Sequence, residues 1–334
     1  MIDGEFDVPV VLMMFNRPDQ TRAVFDRVAA VRPKQLFVIA DGPRADHPAD
    51  AHECRASLSI LDRVNWNCDL QTNVSETNLG CGRRISSGLD WVFDRVDRAV
   101  ILEDDCVPDP SFFRFCAELL ERYKDDARIR TISGHSVLSG RARTNWSYHF
   151  STFHRTWGWA TWRRSWRKLD MAMRLWPQVR DEGWLVDMVG GVGSKSAKFW
   201  GVRFEATYAG RIDSWAYPYL FSCWLDHSLA VIPDRNLVHN IGFGQQATHT
   251  RDHRNYMDHP AESMQFPLNH PAFMVCDGVS DRETFRRRCL PEQSSWLRRV
   301  ARHLYFTLSG IEDPRAVQLG QGRLFERAEV MARG

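Results

Sequence analysis

The sequence predicts an α/β fold built on a mostly parallel sheet flanked by helices. Two observations carry this. Strand-like runs at Val8–Phe15, Gln35–Ala40, Asp69–Val74 and Ala99–Leu102 are separated by stretches of helix length, and strands alternating with helices make parallel sheets. The fourth run then breaks abruptly into Glu103-Asp104-Asp105. A strand buried on both faces cannot carry three carboxylates into a core, because unpaired buried charge is very costly. The acids therefore belong where the strand emerges, at its carboxyl end, which is where open α/β sheets bind ligands.

The elements follow in order. After the first strand, Pro18 opens a helical pattern to about Val31, since a proline in the first turn loses no hydrogen bond. Asp41-Gly42-Pro43 closes the second strand as a turn. A helical pattern spans about Ala49–Val64, and a loop at Asn78-Leu79-Gly80-Cys81-Gly82 leads into another over about Arg84–Arg95. Pro110 starts a helix running to about Tyr123. Right-handed crossovers place the carboxyl ends of these strands on one rim, so Asn16-Arg17, Asp41, Asn78–Arg83 and Glu103–Asp105 converge there. Beyond Asp126 the chain becomes aromatic and short-segmented, with a helical pattern after Asp213, a strand at Leu229–Ile232 and a Gly-rich run Asn240–Gly244. The expected organisation is a ligand-binding lobe over 1–125, a second lobe over 126–276 that continues the sheet, and an Arg-rich helical segment over 277–334.

Composition narrows the partners. A net charge of +2 lacks the basic excess of a general nucleic-acid binder. Eight cysteines without a CxxC pair read as reduced thiols of a cytoplasmic protein. The apolar run at Val8–Phe15 is preceded by acids and is too short for a signal peptide or a membrane span. Thirteen tryptophans are many for 334 residues.

The three acids at 103–105 are hard oxygen donors that suit Mg²⁺ or Mn²⁺, and such an ion suits a nucleotide diphosphate. A solvated turn whose aspartate caps the next helix is the bland alternative. Arg17 and Arg83 have the guanidinium geometry for phosphate oxygens, or are simply solvated.

Phe15-Asn16-Arg17, Asp41-Gly42-Pro43 and Glu103-Asp104-Asp105, in that order after successive strands, resemble the GT-A glycosyltransferases. The acid trio with Pro108 and Phe112-Phe113 is similar to the N-acetylglucosaminyltransferase I type. Trp157-Gly158-Trp159-Ala160-Thr161-Trp162 and Asn240-Ile241-Gly242-Phe243-Gly244 resemble bacterial family-2-like members. The resemblance covers roughly residues 8–250 and implies a Rossmann-like GT-A fold. It also implies transfer of a hexosyl or N-acetylhexosaminyl group from a nucleotide sugar, UDP-linked by preference, to a carbohydrate or glycolipid hydroxyl, with inversion. On that resemblance Asp105 ligates Mn²⁺ or Mg²⁺ and His249 completes its shell, while Glu103 and Asp104 contact ribose or metal-bound water. Asp41, with Phe15 or Asn16 beside it, meets the base; Asn78, Arg17 and Arg83 belong to the same donor site. His249 is otherwise a hydrogen-bonded loop histidine.

Inversion needs a carboxylate to take the acceptor proton. Asp213, in Arg211-Ile212-Asp213-Ser214-Trp215, matches the family segment where that acid lies, though relatives commonly carry a second acid where this chain has Ala216. Asp213 otherwise caps the helix that follows, and Asp226 and Asp170 are the fallback bases. Flat aromatic faces pack on sugar rings, which makes Trp157 and Trp159 candidate acceptor or donor-sugar contacts, with Gly158 allowing close approach. Ser295–Leu308 places apolar residues at helical spacing beside arginines. That segment, with Arg286–Arg288 upstream, either docks peripherally on an anionic membrane or packs on the protein. The oligomeric state is not encoded in any pattern found. Three rivals stand against this reading: a sugar-1-phosphate nucleotidyltransferase, which needs a Gly-rich loop where this chain reads Asn16-Arg17-Pro18-Asp19; a haloacid-dehalogenase-type phosphatase, whose paired aspartates would follow the first strand and not the fourth; and a noncatalytic carbohydrate-binding protein retaining the fold.

Overall fold

The computed structural model describes residues 6–140, 143, 145–189, 194–242 and 259–289. Met1–Cys289 belongs to one compact unit; residues 290–334, with the expected amphipathic segment at 295–308, lie outside the described residues.

The elements are β1 (Val10–Met14), α1 (Pro18–Val31), β2 (Gln35–Ala40), α2 (Asp50–Leu58, followed by a 3₁₀ turn at Ser59–Arg63), β3 (Asp69–Val74), α3 (Cys81–Phe93), β4 (Arg98–Glu103), β5 (Cys106–Pro108) and α4 (Pro110–Arg122). There follow β6 (Ile129–Ser133), β7 (Tyr148–Ser151), β8 (Trp159–Trp162), α5 (Arg163–Trp166), α6 (Trp176–Asp181), α7 (Leu185–Met188), α8 (Ser194–Tyr208), α9 (Ala216–Leu225), β9 (Leu229–Pro233), β10 (Val238–Asn240) and α10 (Gly278–Cys289). Eight strands form one sheet in the order β3-β2-β1-β4-β8-β6-β9-β7. The first four are parallel throughout, β6 and β9 are parallel, and β8 and β7 run antiparallel to their neighbours. The chain is thus α/β with a mostly parallel central sheet, as expected, and the second half continues the sheet begun by the first.

Register decides what reaches the rim. Met14 pairs with Ala40, and Met13 pairs with Glu103, so Phe15, Asp41 and Asp104 leave their strands side by side. Alternation along β1, β2 and β4 splits the core in two. Val10, Leu12, Leu36, Val38, Val100 and Leu102 face α1 and α4, whereas Val11, Met13, Phe37, Ile39, Ala99 and Ile101 face α3 and α9. α3 opens at Cys81, three residues before the expected start, because Gly80 adopts φ +79 and turns the chain directly into the helix. β10 pairs antiparallel with β5, Asn240 opposite Cys106, and so brings the late Asn240-Ile241-Gly242 run beside Asp105.

The tryptophans mostly serve packing. Trp159, Trp166, Trp176, Trp215 and Trp224 are all buried, and Trp159 stacks on Trp215 with centroids 5.5 Å apart. No disulfide forms among the described residues, and no helix among them is long and apolar enough to cross a membrane.

Candidate active site

A cavity of about 330 Å³ opens at the carboxyl rim of β1, β2 and β4. Of the residues singled out in sequence, Phe15, Arg17, Asp41, Asn78, Glu103, Asp104, Asp105, Trp157 and Asp213 line it. They come from six separate stretches of chain.

The acid trio forms one wall. The Phe15 amide donates to Asp104 Oδ2 at 3.1 Å. Arg17 Nη1 donates to Asp105 Oδ2 at 2.9 Å and lies 3.7 Å from Asp104 Oδ1. One guanidinium thus faces three carboxylates. Glu103 is pushed up to about 8, first by burial and then by the charges of Asp105 and Asp104. Asp104 is pushed up to about 7 by burial and Asp105, against the pull of Arg17 and the Phe15 amide. This surplus of negative charge among hard oxygen donors fits a divalent cation. The described residues alone do not complete a ligand set of three or more, and His249 lies outside them.

Asp41 lines the cavity with both of its oxygens already engaged by the chain. Its oxygens accept from the amides of Leu79 at 2.9 Å, Gly80 at 3.2 Å and Gly42 at 2.9 Å, and from Asn78 Nδ2 at 3.1 Å. Burial raises its pKa, and those amides together with the Arg84 charge oppose the rise. Asp41 thereby ties the end of β2 to the loop entering α3.

Asp213 comes to the cavity from the segment before α9. Its Oδ1 accepts from the Gly82 amide at 2.9 Å, within the first turn of α3. A Cβ on Gly82 would stand 2.5 Å from that oxygen, and one on Gly80 would stand 2.5 Å from Oδ2. Asp213 does cap a helix, but α3 and not α9, whose N-cap is Trp215. The fallback acids are engaged elsewhere: Asp226 pairs with Lys168 at 2.8 Å and Arg130 at 3.3 Å, and Asp170 accepts from Arg174.

Four of the expected site residues lie off the cavity. Trp159 is fully buried in the core stack and does not line this cavity. Gly158 has φ +58, which brings its Cα against Val238 and not against the cavity: a Cβ there would lie 2.6 Å from Val238 Cγ2. Asn16 turns away and donates to Asp50 Oδ1 at 2.8 Å. Arg83 is exposed and off the cavity, and its neighbour Arg84 lines it instead. Arg84 donates to Ala40 O at 3.0 Å and Asn73 O at 2.6 Å, and burial lowers its pKa.

Arg44 also lines the cavity, unforeseen in the sequence, as do Cys81 of the expected rim loop and Asn240 and Gly242 of the Gly-rich run, to which no individual role was given. Arg44 grips Asp50 with Nε at 2.6 Å and Nη2 at 2.9 Å, and its guanidinium lies 5.4 Å from the Phe15 ring centroid. Its place just after the Asp41-Gly42-Pro43 turn was the available signal. The Cys81 thiol is pushed up to about 12 by burial and by Glu103, Asp213 and Asp41, so it is no nucleophile.

No family model matches the chain, and neither does any curated protein sequence. Among solved structures, a mannosyltransferase from Pyrobaculum calidifontis in complex with GDP-Man and Mn²⁺ is 11% identical, with a TM-score of 0.34 over 50% of this chain and 47% of its own length. UDP-glucose pyrophosphorylase complexed with UDP-glucose is 9% identical, with a TM-score of 0.29 over 48% and 78%. Mouse xyloside xylosyltransferase 1, apo form, is 11% identical, with a TM-score of 0.31 over 65% and 81%. The match thus spans about half of the first of these proteins. Likeness this slight does not bear on what the chain does.

Proposed function

We propose that this chain is a metal-dependent glycosyltransferase that moves a sugar from a nucleoside diphosphate, UDP by preference, to a hydroxyl of a carbohydrate or glycolipid, with inversion. One observation carries the reading: Glu103–Asp105 and Asp213, more than a hundred positions apart in the chain, line the same cavity at the carboxyl rim. The first group suits gripping a diphosphate, and the second suits taking a proton.

Asp105 and Asp104 would hold Mn²⁺ or Mg²⁺, with Glu103 beside them. When bound, such an ion neutralises charge on the departing diphosphate and acts as a Lewis acid. Arg17 offers a guanidinium to phosphate oxygens, and Phe15 with Arg44 offers flat faces for a base. Trp157 presents a ring to the sugar side. The acceptor hydroxyl attacks the anomeric carbon and its proton passes to Asp213. The bond from that carbon to the phosphate oxygen breaks, and the nucleoside diphosphate leaves with the electron pair. The Gly82 amide fixes Asp213 Oδ1, leaving the other oxygen for the proton.

Release of nucleoside diphosphate from a panel of donors, scored for wild type, Asp105→Asn and Asp213→Asn, tests the reading. It expects Asp105→Asn to lose metal-dependent donor binding and Asp213→Asn to bind donor without transferring it. Near-full activity of Asp213→Asn overturns the base assignment; donor binding without turnover by wild type favours a noncatalytic binder.

A further inference from the structure

We propose that Arg44, held in place by Asp50, selects the donor's nucleobase by donating to a keto oxygen, so that uracil enters and cytosine is refused. This rests on the glycosyltransferase reading and adds to it the residue that decides which nucleotide binds. The sheet order sets the frame. β1 stands between β2 and β4, so the ends of β2 and β4 lie two strand spacings apart along the rim, roughly 10 Å. A diphosphate held at Glu103–Asp105 would leave the nucleoside lying across the end of β1. The edge of the base most remote from the ribose would then lead toward Asp41 and Arg44, which both line the cavity.

Asp41 has no acceptor to spare for that edge. Its Oδ1 takes the amides of Gly42 and Leu79, and its Oδ2 takes the Gly80 amide and Asn78 Nδ2. Those bonds fill the roughly four lone-pair sites of a carboxylate. Arg44 is the opposite case. Its Nε and Nη2 are spent on Asp50 at 2.6 and 2.9 Å, which leaves Nη1 on the other side of the guanidinium; among the described residues none accepts from it. Asp50 is a firm anchor. Its side chain is 3% exposed against 37% for Arg44, and it also accepts from Asn16 Nδ2 at 2.8 Å and from the Arg44 amide at 3.1 Å. The Arg44 hydrogen bond, more than any other cause, holds its carboxyl down at about 2, so the pair stays ionised. The anchor is buried and the cation faces the cavity. A guanidinium only donates. Uracil carries a carbonyl at C4 and hypoxanthine one at C6, where cytosine and adenine carry an amine. That amine would meet Arg44 donor to donor, a mismatch of the kind that hydrogen-bonding sites reject most strongly.

Isothermal titration calorimetry of UDP, CDP, inosine diphosphate and ADP into the full chain, with Mn²⁺ present, reads this selection without turnover. Wild type is expected to prefer UDP to CDP, and inosine diphosphate to ADP, each by about tenfold or more. Arg44→Met should bring both ratios to within about twofold of one, chiefly by weakening the keto nucleotides. Asp50→Asn leaves the Arg44 charge in place but loosens its orientation, and should lower both ratios as well; a charge that merely attracts diphosphate would leave them unchanged. Wild-type ratios near one overturn the proposal whether or not the variants fold. So does an Arg44→Met protein that keeps the wild-type ratios, and Asp50→Asn keeping them overturns the positioning role of Asp50. If wild type binds none of the four nucleotides, the glycosyltransferase reading falls too, whereas binding without selection sinks this proposal alone.

Discussion

The Asp213 carboxylate accepts the backbone amide of Gly82 at 2.9 Å, joining positions 131 residues apart. That bond places the candidate base on α3, which itself packs on the sheet face shared with Trp159 and Trp215. Gly82→Ala should drive the carboxylate aside, since the new Cβ would stand 2.5 Å from Oδ1. Misplacement by an ångström costs about a hundredfold in rate. Steady-state kinetics should show kcat falling by about that factor, with donor KM changed little. A fall in KM affinity with kcat intact would place Asp213 in donor binding instead.

Asp41 is expected to matter for stability before it matters for specificity. Asp41→Ala would leave the amides of Leu79, Gly80 and Gly42 without their acceptor. Each buried donor left unpaired costs about 1–3 kcal/mol. Chemical denaturation should register a loss of several kcal/mol. A variant as stable as wild type but unable to bind any uridine nucleotide would assign Asp41 to the base instead.

Trp159 is predicted to be a packing residue. Truncating a buried tryptophan to alanine costs about 3–5 kcal/mol, and the stack on Trp215 adds a route from Trp159 to Asp213 two residues away. Trp159→Phe should keep most of the stability and leave acceptor KM unchanged. An acceptor KM raised tenfold at unchanged melting temperature would contradict this.

Acid should unfold the protein partly through His154. Its ring is buried: Nε2 donates to Ser228 O at 3.3 Å, and Nδ1 pairs with Thr131 Oγ1 at 2.7 Å. Burial, and then the charge of Arg130, depress its pKa to about 3. The folded pKa lies below the unfolded value, so between about 6.5 and 3 the unfolded chain binds more protons and stability falls as pH falls. His149, depressed by burial too, acts in the same direction. Melting temperatures at pH 7 and pH 5 should therefore differ less in His154→Gln than in wild type. An equal or larger difference would remove the assignment.

The parallel half of the sheet was legible because its strands are simple. Gln35–Ala40 and Asp69–Val74 have the bounds their sequence predicts; for the first, an apolar run ending in turn residues leaves few alternatives. The acid trio was legible for the converse reason, that it could not be buried. What escaped was set by pairing across long separations. Trp159 looks like a sugar platform in sequence, yet β8 inserts antiparallel between β4 and β6 and buries it. Arg83 and Arg84 are indistinguishable by type. The difference comes from Gly88, which lets α3 approach Ile39 closely and turns Arg84 toward the end of β2. Asn240 was quoted only as part of a motif; its pairing with Cys106 is what puts it on Asp105.

On the proposed function, the cavity between Asp105 and Asp213 receives a nucleotide sugar with a divalent ion. Thermal unfolding of wild type and Asp105→Asn, each with Mn²⁺ and UDP-, GDP- or dTDP-sugars, tests it most directly, because a ligand that binds only the native state raises apparent stability. At least one donor, UDP-linked by preference, should stabilise wild type only when Mn²⁺ is present, and Asp105→Asn should lose the effect. Stabilisation of both proteins alike, or of neither by any donor, would contradict it.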